Sequence, residues 1–125
     1  MAKLKKGTAT MRLPGFHPSR SRAMRGRDQA YVVGVPADLT ASMYHQTKQA
    51  LASIEQSLQE IGLTSKNIAL VMVYLSEMRQ KAEMNRAWDD WASRENPPVR
   101  ACVGAALEPG CLVEMVVTAT VDEDG

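Results

Sequence analysis

The sequence predicts an α+β fold, a mixed β-sheet with two helices packed on one face. Three observations carry that expectation. Two stretches with apolar residues at three- and four-residue steps read as helices, and each is followed by a stop signal. Between them the run Ile68 to Leu75 is apolar throughout, the pattern of a strand buried on both faces and short for a helix. Segments rich in β-branched residues flank these elements, giving the order β, β, α, β, α, β, β.

Ala30-Tyr31-Val32-Val33-Gly34-Val35 is short, apolar and closed by Pro36, so it reads as a strand. Ser21 to Arg25 is its expected hairpin partner, with Gly26-Arg27-Asp28 as the turn. From about Leu39 to Ile61 the period changes. Met43, Thr47, Ala50, Leu51, Ile54, Leu58 and Ile61 draw one apolar stripe, and Gly62 follows where a helix wants a left-handed residue. A second helix is expected over Lys81 to Ser93, with Met84, Trp88 and Trp91 on one side and Asn96-Pro97-Pro98 as its stop. The last third reads as a hairpin, Val99 to Leu107 and Leu112 to Val121 joined at Glu108-Pro109-Gly110. Two helices cover only one face of such a sheet, and another subunit is the expected cover for the other.

The chain has 125 residues, 45% hydrophobic and 23% charged, the size and balance of a single globular domain. No apolar run approaches the about 18 residues that span a bilayer, and no apolar segment of a secretory signal follows the first lysines. A cytoplasmic protein without membrane contact is the expectation. Two cysteines, Cys102 and Cys111, are too few for a disulfide scaffold and lack metal-ligand spacing. The net charge of +1 conceals an asymmetry. Residues 1–28 hold eight of the fifteen Lys and Arg against Asp28 alone, while the remainder is acidic. Residues 1–19 read as a basic arm, either a solvated terminus or a surface for an anionic partner.

Glycine-rich phosphate loops, histidine pairs at metal spacing and serine nucleophile elbows are all absent from the sequence. His45 falls within the first helix and reads as a packing or surface residue, whereas the role of His17, beside Pro18, is open. Arg100 opens a strand that is otherwise small and apolar. Alternation puts Arg100, Cys102 and Gly104 on one face. A guanidinium above a thiol, with a glycine leaving space, suits a small carboxylate. An internal salt bridge, for example to Glu114, is the alternative. Glu114 is the only charge inside Leu112 to Val117, and facing a cleft it would position or activate a water. A one-residue shift of register would reverse the face it takes. Cys102 is either a nucleophile or an inert buried thiol, and Trp88 and Trp91 are either core anchors or an aromatic platform.

Several segments together resemble the YjgF/Rid family of imine deaminases. Gln46 to Leu51, Ile54-Glu55, Leu58 and Gly62 are similar to that family's helix signature. Val73 to Met78 and Met84-Asn85 resemble its central strand and second helix. Pro98 to Val103, then Leu112 to Met115 and Ala119, match its C-terminal signature. The resemblance spans roughly residues 20–121. It implies a chorismate-mutase-like single domain that assembles as a homotrimer with clefts between subunits. It also implies hydrolysis of small 2-imino acids or their enamines to 2-keto acids and ammonia, with no metal or organic cofactor. In that picture Arg100 grips the substrate carboxylate, Cys102 lies beside the imine and Glu114 positions the water. Asn85 and Gly34 are further substrate contacts.

Two departures bear on the pocket. Arg20-Ser21-Arg22-Ala23 carries arginine where the family often has tyrosine. Val33-Gly34-Val35 lacks the hydroxyl that often precedes the glycine. Arg20 and Val33 are therefore substrate-site positions with altered chemistry. The alternatives to deamination are a non-catalytic binder of small carboxylates and an RNA-binding or ribonuclease-type translation inhibitor. No RNA-binding motif or run of aromatic residues accompanies the basic arm, so nucleic acid is not the expected partner.

Overall fold

In the computed structural model, which describes residues 10–122, eight regular elements follow in order. They are β1 (Met11–Pro14), β2 (Ser21–Arg25), β3 (Gln29–Gly34), α1 (Met43–Glu60), β4 (Ile68–Leu75), α2 (Lys81–Trp91), β5 (Val99–Gly104) and β6 (Val113–Thr120). Short 3-10 turns at Ser65–Asn67 and Met78–Gln80 lead into β4 and α2. The strands form one sheet in the order β1-β2-β3-β6-β4-β5. Only β4 and β5 run parallel, so the sheet is mixed and the fold is α+β, as the sequence predicts.

Helix α1 forms where the apolar stripe lies. Ser42 caps it, its side chain accepting from the His45 N–H. Met43, Thr47, Ala50, Leu51, Ile54 and Leu58 are buried. At the other end Gly62 adopts φ 81°. Its N–H donates to the Gln59 carbonyl at 3.0 Å and the Leu63 N–H to the Leu58 carbonyl at 2.8 Å. This is the double bond that closes a helix through a left-handed glycine. Arg25, also buried, donates from Nη1 to the Ile61 carbonyl at 2.6 Å, placing a cation at the negative end of α1.

Both helices cover the same face. Val71, Val73 and Leu75 of β4 stand opposite Val117, Met115 and Val113 of β6. With Ala30 and Val32 of β3 they form one core with Leu51, Ile54 and Leu58 of α1 and Met84 and Trp88 of α2. The alternate residues point away from the helices. Tyr31 and Val33 of β3, Met72 and Tyr74 of β4, and Glu114, Val116 and Thr118 of β6 share that second face through their ladder partners. Tyr31 remains 42% exposed and Val116 38%.

Three expectations are corrected. Met11–Pro14, inside the stretch read as a basic arm, is an edge strand antiparallel to β2. Residues 1–9 of that arm, with Lys3, Lys5 and Lys6, lie outside the described residues. Four residues alternating half-buried with exposed and ending in proline carry too weak a period to be read as a strand. Near the end of that pairing the register slips by a residue, and the neighbouring Arg22 reaches α1, donating to both carboxylate oxygens of Glu60 at 2.9 Å.

The last two strands are not a hairpin. The connection around Gly110, φ 84°, carries the chain from β5 at the sheet edge across to β6, and β4 lies between them. The α2 crossover returns β5 parallel to β4, as such a connection does, and the apolar β4 thereby gains a partner on each side. Finally, β5 ends at Gly104, short of the expected Leu107, because the Ala105 N–H closes onto the Leu75 carbonyl at 2.9 Å.

Candidate active site

The candidate residues divide between the two faces of the sheet. Parallel pairing sets Arg100 beside Val71, Cys102 beside Val73 and Gly104 beside Leu75, so all three face the helices at the edge strand. Arg100 is half-buried there against α2. Its Nη1 donates to Asn85 Oδ1 at 2.9 Å and approaches the Met84 sulfur at 3.7 Å. Its guanidinium carbon stands 5.1 Å from the ring centre of Trp88, a cation–π contact. Helical spacing explains the grouping, because positions 84, 85 and 88 lie on adjoining rows of α2. Trp88 is at once a core anchor and the aromatic plate under the guanidinium, and its indole packs at 5.2 Å against Trp91.

This arrangement leaves the charge of Arg100 available. None of the ion pairs among the described residues includes it. The amide oxygen of Asn85 is neutral and occupies only Nη1. A guanidinium has five N–H donors, so Nη2 and Nε remain as a planar fork that fits a carboxylate with two parallel bonds. An internal salt bridge to Glu114 is excluded within the chain, because Glu114 stands opposite Tyr74 on the face away from the helices. Cys102, two residues along β5 and about 7 Å from Arg100 by strand geometry, is half-buried.

The second group lies on the open face. Val33 pairs with Val116, two residues along β6 from Glu114 and its partner Tyr74. Val33 and Arg20 line a cavity of about 410 Å³ with Arg12, Ser21 and Tyr31. Arg20 ends a loop closed by the Gly15 N–H on the Arg20 carbonyl at 3.2 Å, and its Nη1 donates to Ser19 Oγ at 3.0 Å. Sequence reasoning did not single out Arg12 or Met84 for this chemistry, and it read Trp88 as either a core anchor or an aromatic platform. The alternation along β1 was the one signal that would have placed Arg12 beside Met24 on the open face.

Gly34 is needed for packing. A Cβ there would fall 2.5 Å from Ile54 Cγ1 and 2.8 Å from the Ala50 carbonyl oxygen. His45 is exposed on α1, and its Nδ1 lies 3.0 Å from Ser42 Oγ. His17 is exposed in the loop, 2.8 Å from Ser19 Oγ. Burial pushes the Cys111 thiol up from its ordinary range, against a lowering by the Val113 backbone, and the charges of Glu114 and Glu108 add to the rise. Among the described residues no three His, Cys, Asp or Glu side chains cluster so as to hold a metal ion, and no helix is long and apolar enough to cross a membrane.

Fold and geometry together define a one-sheet α+β domain with an unpaired arginine fork on its edge strand. Known proteins share this plan. The sequence profile of the Endoribonuclease L-PSP family matches residues 17–121. A RutC family protein of Haemophilus ducreyi is 40% identical over 95 residues, covering 74% of this chain and 81% of the relative. The RutC family protein YoaB of Escherichia coli is 36% identical over 92 residues, covering 73% and 81%. Among solved structures, NMB1025 of Neisseria meningitidis, a member of the YjgF protein family, superposes with a TM-score of 0.83 at 31% identity, covering 90% of this chain and 94% of that one. An uncharacterized Pseudomonas aeruginosa protein reaches 0.85 at 28%, covering 91% and 100%. The chain belongs to the YjgF/RutC family.

Proposed function

We propose that this protein hydrolyses small 2-imino acids, or their enamine tautomers, to 2-keto acids and ammonia, as a hydrolase acting on C=N bonds. The observation that carries the reading is the Arg100 fork. It is held by Asn85, backed by Trp88 and free of any carboxylate among the described residues. The substrate carboxylate takes Nη2 and Nε of Arg100, bringing the imine toward Cys102. Water adds to the imine carbon while Glu114 accepts its proton. Glu114 returns that proton to the nitrogen to give the neutral aminoalcohol, and its hydroxyl proton then passes to the nitrogen as the C–N bond breaks, releasing ammonia and the 2-keto acid. An imine carbon is already electrophilic, so anchoring and a placed water are a sufficient catalytic apparatus.

Because Arg100 and Glu114 leave opposite faces, one chain does not bring them to one ligand. The site is therefore built between copies. Arg100, Asn85 and Cys102 come from one copy, and Glu114, Val33, Arg20 and the backbone at Gly34 from the next, in a homotrimer with three clefts. The apolar open face, with Tyr31, Val33 and Val116, supports this assembly as the surface that the neighbours cover. Carboxylate binding without turnover is the second reading. It draws on Val33, which supplies no hydroxyl near the substrate, and on Arg20, where relatives often carry an aromatic.

The test is the decay of 2-iminobutyrate generated in situ. Native protein accelerates it, and Arg100→Ala lowers kcat/KM about 100-fold, the worth of two charge-assisted hydrogen bonds. Equal acceleration by both proteins removes Arg100 as the anchor. Decay no faster than in buffer, with 2-ketobutyrate still bound, selects the binding reading. Light scattering at three times the chain mass of 13.7 kDa checks the trimer.

A further inference from the structure

The open-face cavity carries more positive charge than one carboxylate requires. Arg12, Arg20 and Arg22 all line it, and no Asp or Glu of the described residues does. Arg22 is neutralised by Glu60. Neither Arg12 nor Arg20 enters an ion pair among the described residues. Ser21 also lines it and offers a hydroxyl donor, whereas the Tyr31 hydroxyl already donates to Gln29 Oε1 and Ser19 Oγ already bonds His17 and Arg20. The cavity is a depression open to solvent of about 410 Å³, within the size range of small-ligand sites. Two unpaired guanidinium groups in one concavity repel each other, and an anion between them relieves that repulsion.

The cavity also adjoins the proposed substrate site, since Val33 and Arg20 line both. We propose that Arg12 and Arg20 form a second anion subsite and that the preferred substrates are 2-imino acids carrying a second carboxylate. This inference rests on the deaminase reading for its reaction but on the cavity for its ligand. The 2-carboxylate is gripped by Arg100 of one copy, and the distal carboxylate lies in the cavity of the next. Hydrolysis is unchanged in its balance. Water adds, ammonia leaves, and a 2-keto dicarboxylate is released. The supplying reaction is then one that dehydrogenates an acidic amino acid to its imine. Arg20 in place of an aromatic residue acquires a purpose, because an aromatic there suits an alkyl side chain and a guanidinium suits an anion.

The experiment measures binding of 2-oxoglutarate and 2-oxobutyrate to the full chain by calorimetry, together with turnover of 2-iminoglutarate and 2-iminobutyrate made in situ. Native protein is expected to favour the five-carbon diacid about tenfold or more, the worth of one charge-assisted contact partly open to water. Arg12→Ala and Arg20→Ala are each expected to lower the diacid-to-monoacid ratio by about that factor, with unchanged circular dichroism. Added salt is expected to erode the ratio, since the subsite is solvent-accessible. Equal affinity for the two acids, or variants that leave the ratio at its native value, overturns the subsite. Hydrolysis of both imines without preference would also overturn it while leaving deamination standing. A binding preference without hydrolysis upholds the subsite and refutes deamination.

Discussion

The packing role of Gly34 can be tested separately from the place of its backbone in the proposed site. In Gly34→Ala the new Cβ would meet Ile54 Cγ1 at 2.5 Å, Ile54 Cδ1 at 2.6 Å and the Ala50 carbonyl oxygen at 2.8 Å. Carbon atoms need about 3.5–4.0 Å, so the overlap exceeds 1 Å at the first contact. Ile54 is fully buried and has little room to turn. The third atom is backbone, so side-chain repacking alone cannot relieve the clash and α1 must lift from β3. Overpacking of this kind costs about 1–3 kcal/mol. A backbone obstruction points to the upper half of that range, roughly 2–3 kcal/mol, or about 10 °C in Tm for a chain of this length. The assay is urea denaturation at fixed protein concentration, read by tryptophan fluorescence. Ile54→Ala in the same chain removes two of the three obstructing atoms, so the double variant is expected to lose less than the sum of the singles. A loss below about 0.5 kcal/mol for Gly34→Ala would refute the packing argument. If imine turnover nevertheless collapsed in that variant, Gly34 would act at the ligand instead.

Gln46 is completely buried and ties α1 to the connection before β6. It donates to the Ala41 and Gly110 carbonyls at 3.1 and 3.0 Å and accepts from the Leu112 N–H at 2.8 Å. Gln46→Leu leaves three main-chain groups unpaired and is expected to cost roughly 3 kcal/mol in urea denaturation, and a loss under about 1 kcal/mol would contradict that accounting. Cys111 is expected to resist thiol reagents in the native protein and to react once unfolded, whereas half-buried Cys102 reacts in the folded chain. Because burial raises the Cys111 thiol above its unfolded value, its contribution to stability is full at neutral pH and is lost as pH rises through the raised value. Labelling of both thiols at equal native rates, or stability that rises with pH across the alkaline range, would count against it.

Much of the fold was legible because its signals are local. The stripe Met43 to Leu58 with Gly62 behind it specifies a helix and its end within twenty residues of chain. Gly26-Arg27-Asp28 between two short strands specifies the β2–β3 turn, and the Gly26 N–H closes it on the Gln29 carbonyl at 2.8 Å. Turn chemistry is silent, however, on which strand comes to lie alongside. The Glu108-Pro109-Gly110 segment looks like a hairpin and instead passes between strands separated by β4. What decides this is the demand of an apolar strand for two hydrogen-bonded neighbours, a property of the whole sheet.

The candidate site divides along the same line. Residue types, and alternation within one strand, marked Arg100, Cys102 and Glu114 from sequence alone. Asn85 was marked by the family resemblance and not by the helical period. Whether Glu114 joins Arg100 was not legible, since side chains on different strands share a face only through the register of the ladder between them. That register sets Glu114 against Tyr74 and Arg100 beside Val71, on opposite faces. Sequence by itself determined the elements and the chemistry each could carry, because propensity, period and caps act over a few residues. Tertiary structure alone decided that the arginine fork and the carboxylate lie apart and that Arg12 and Arg20 share a cavity, because strand order and register arise from burial across the entire sheet.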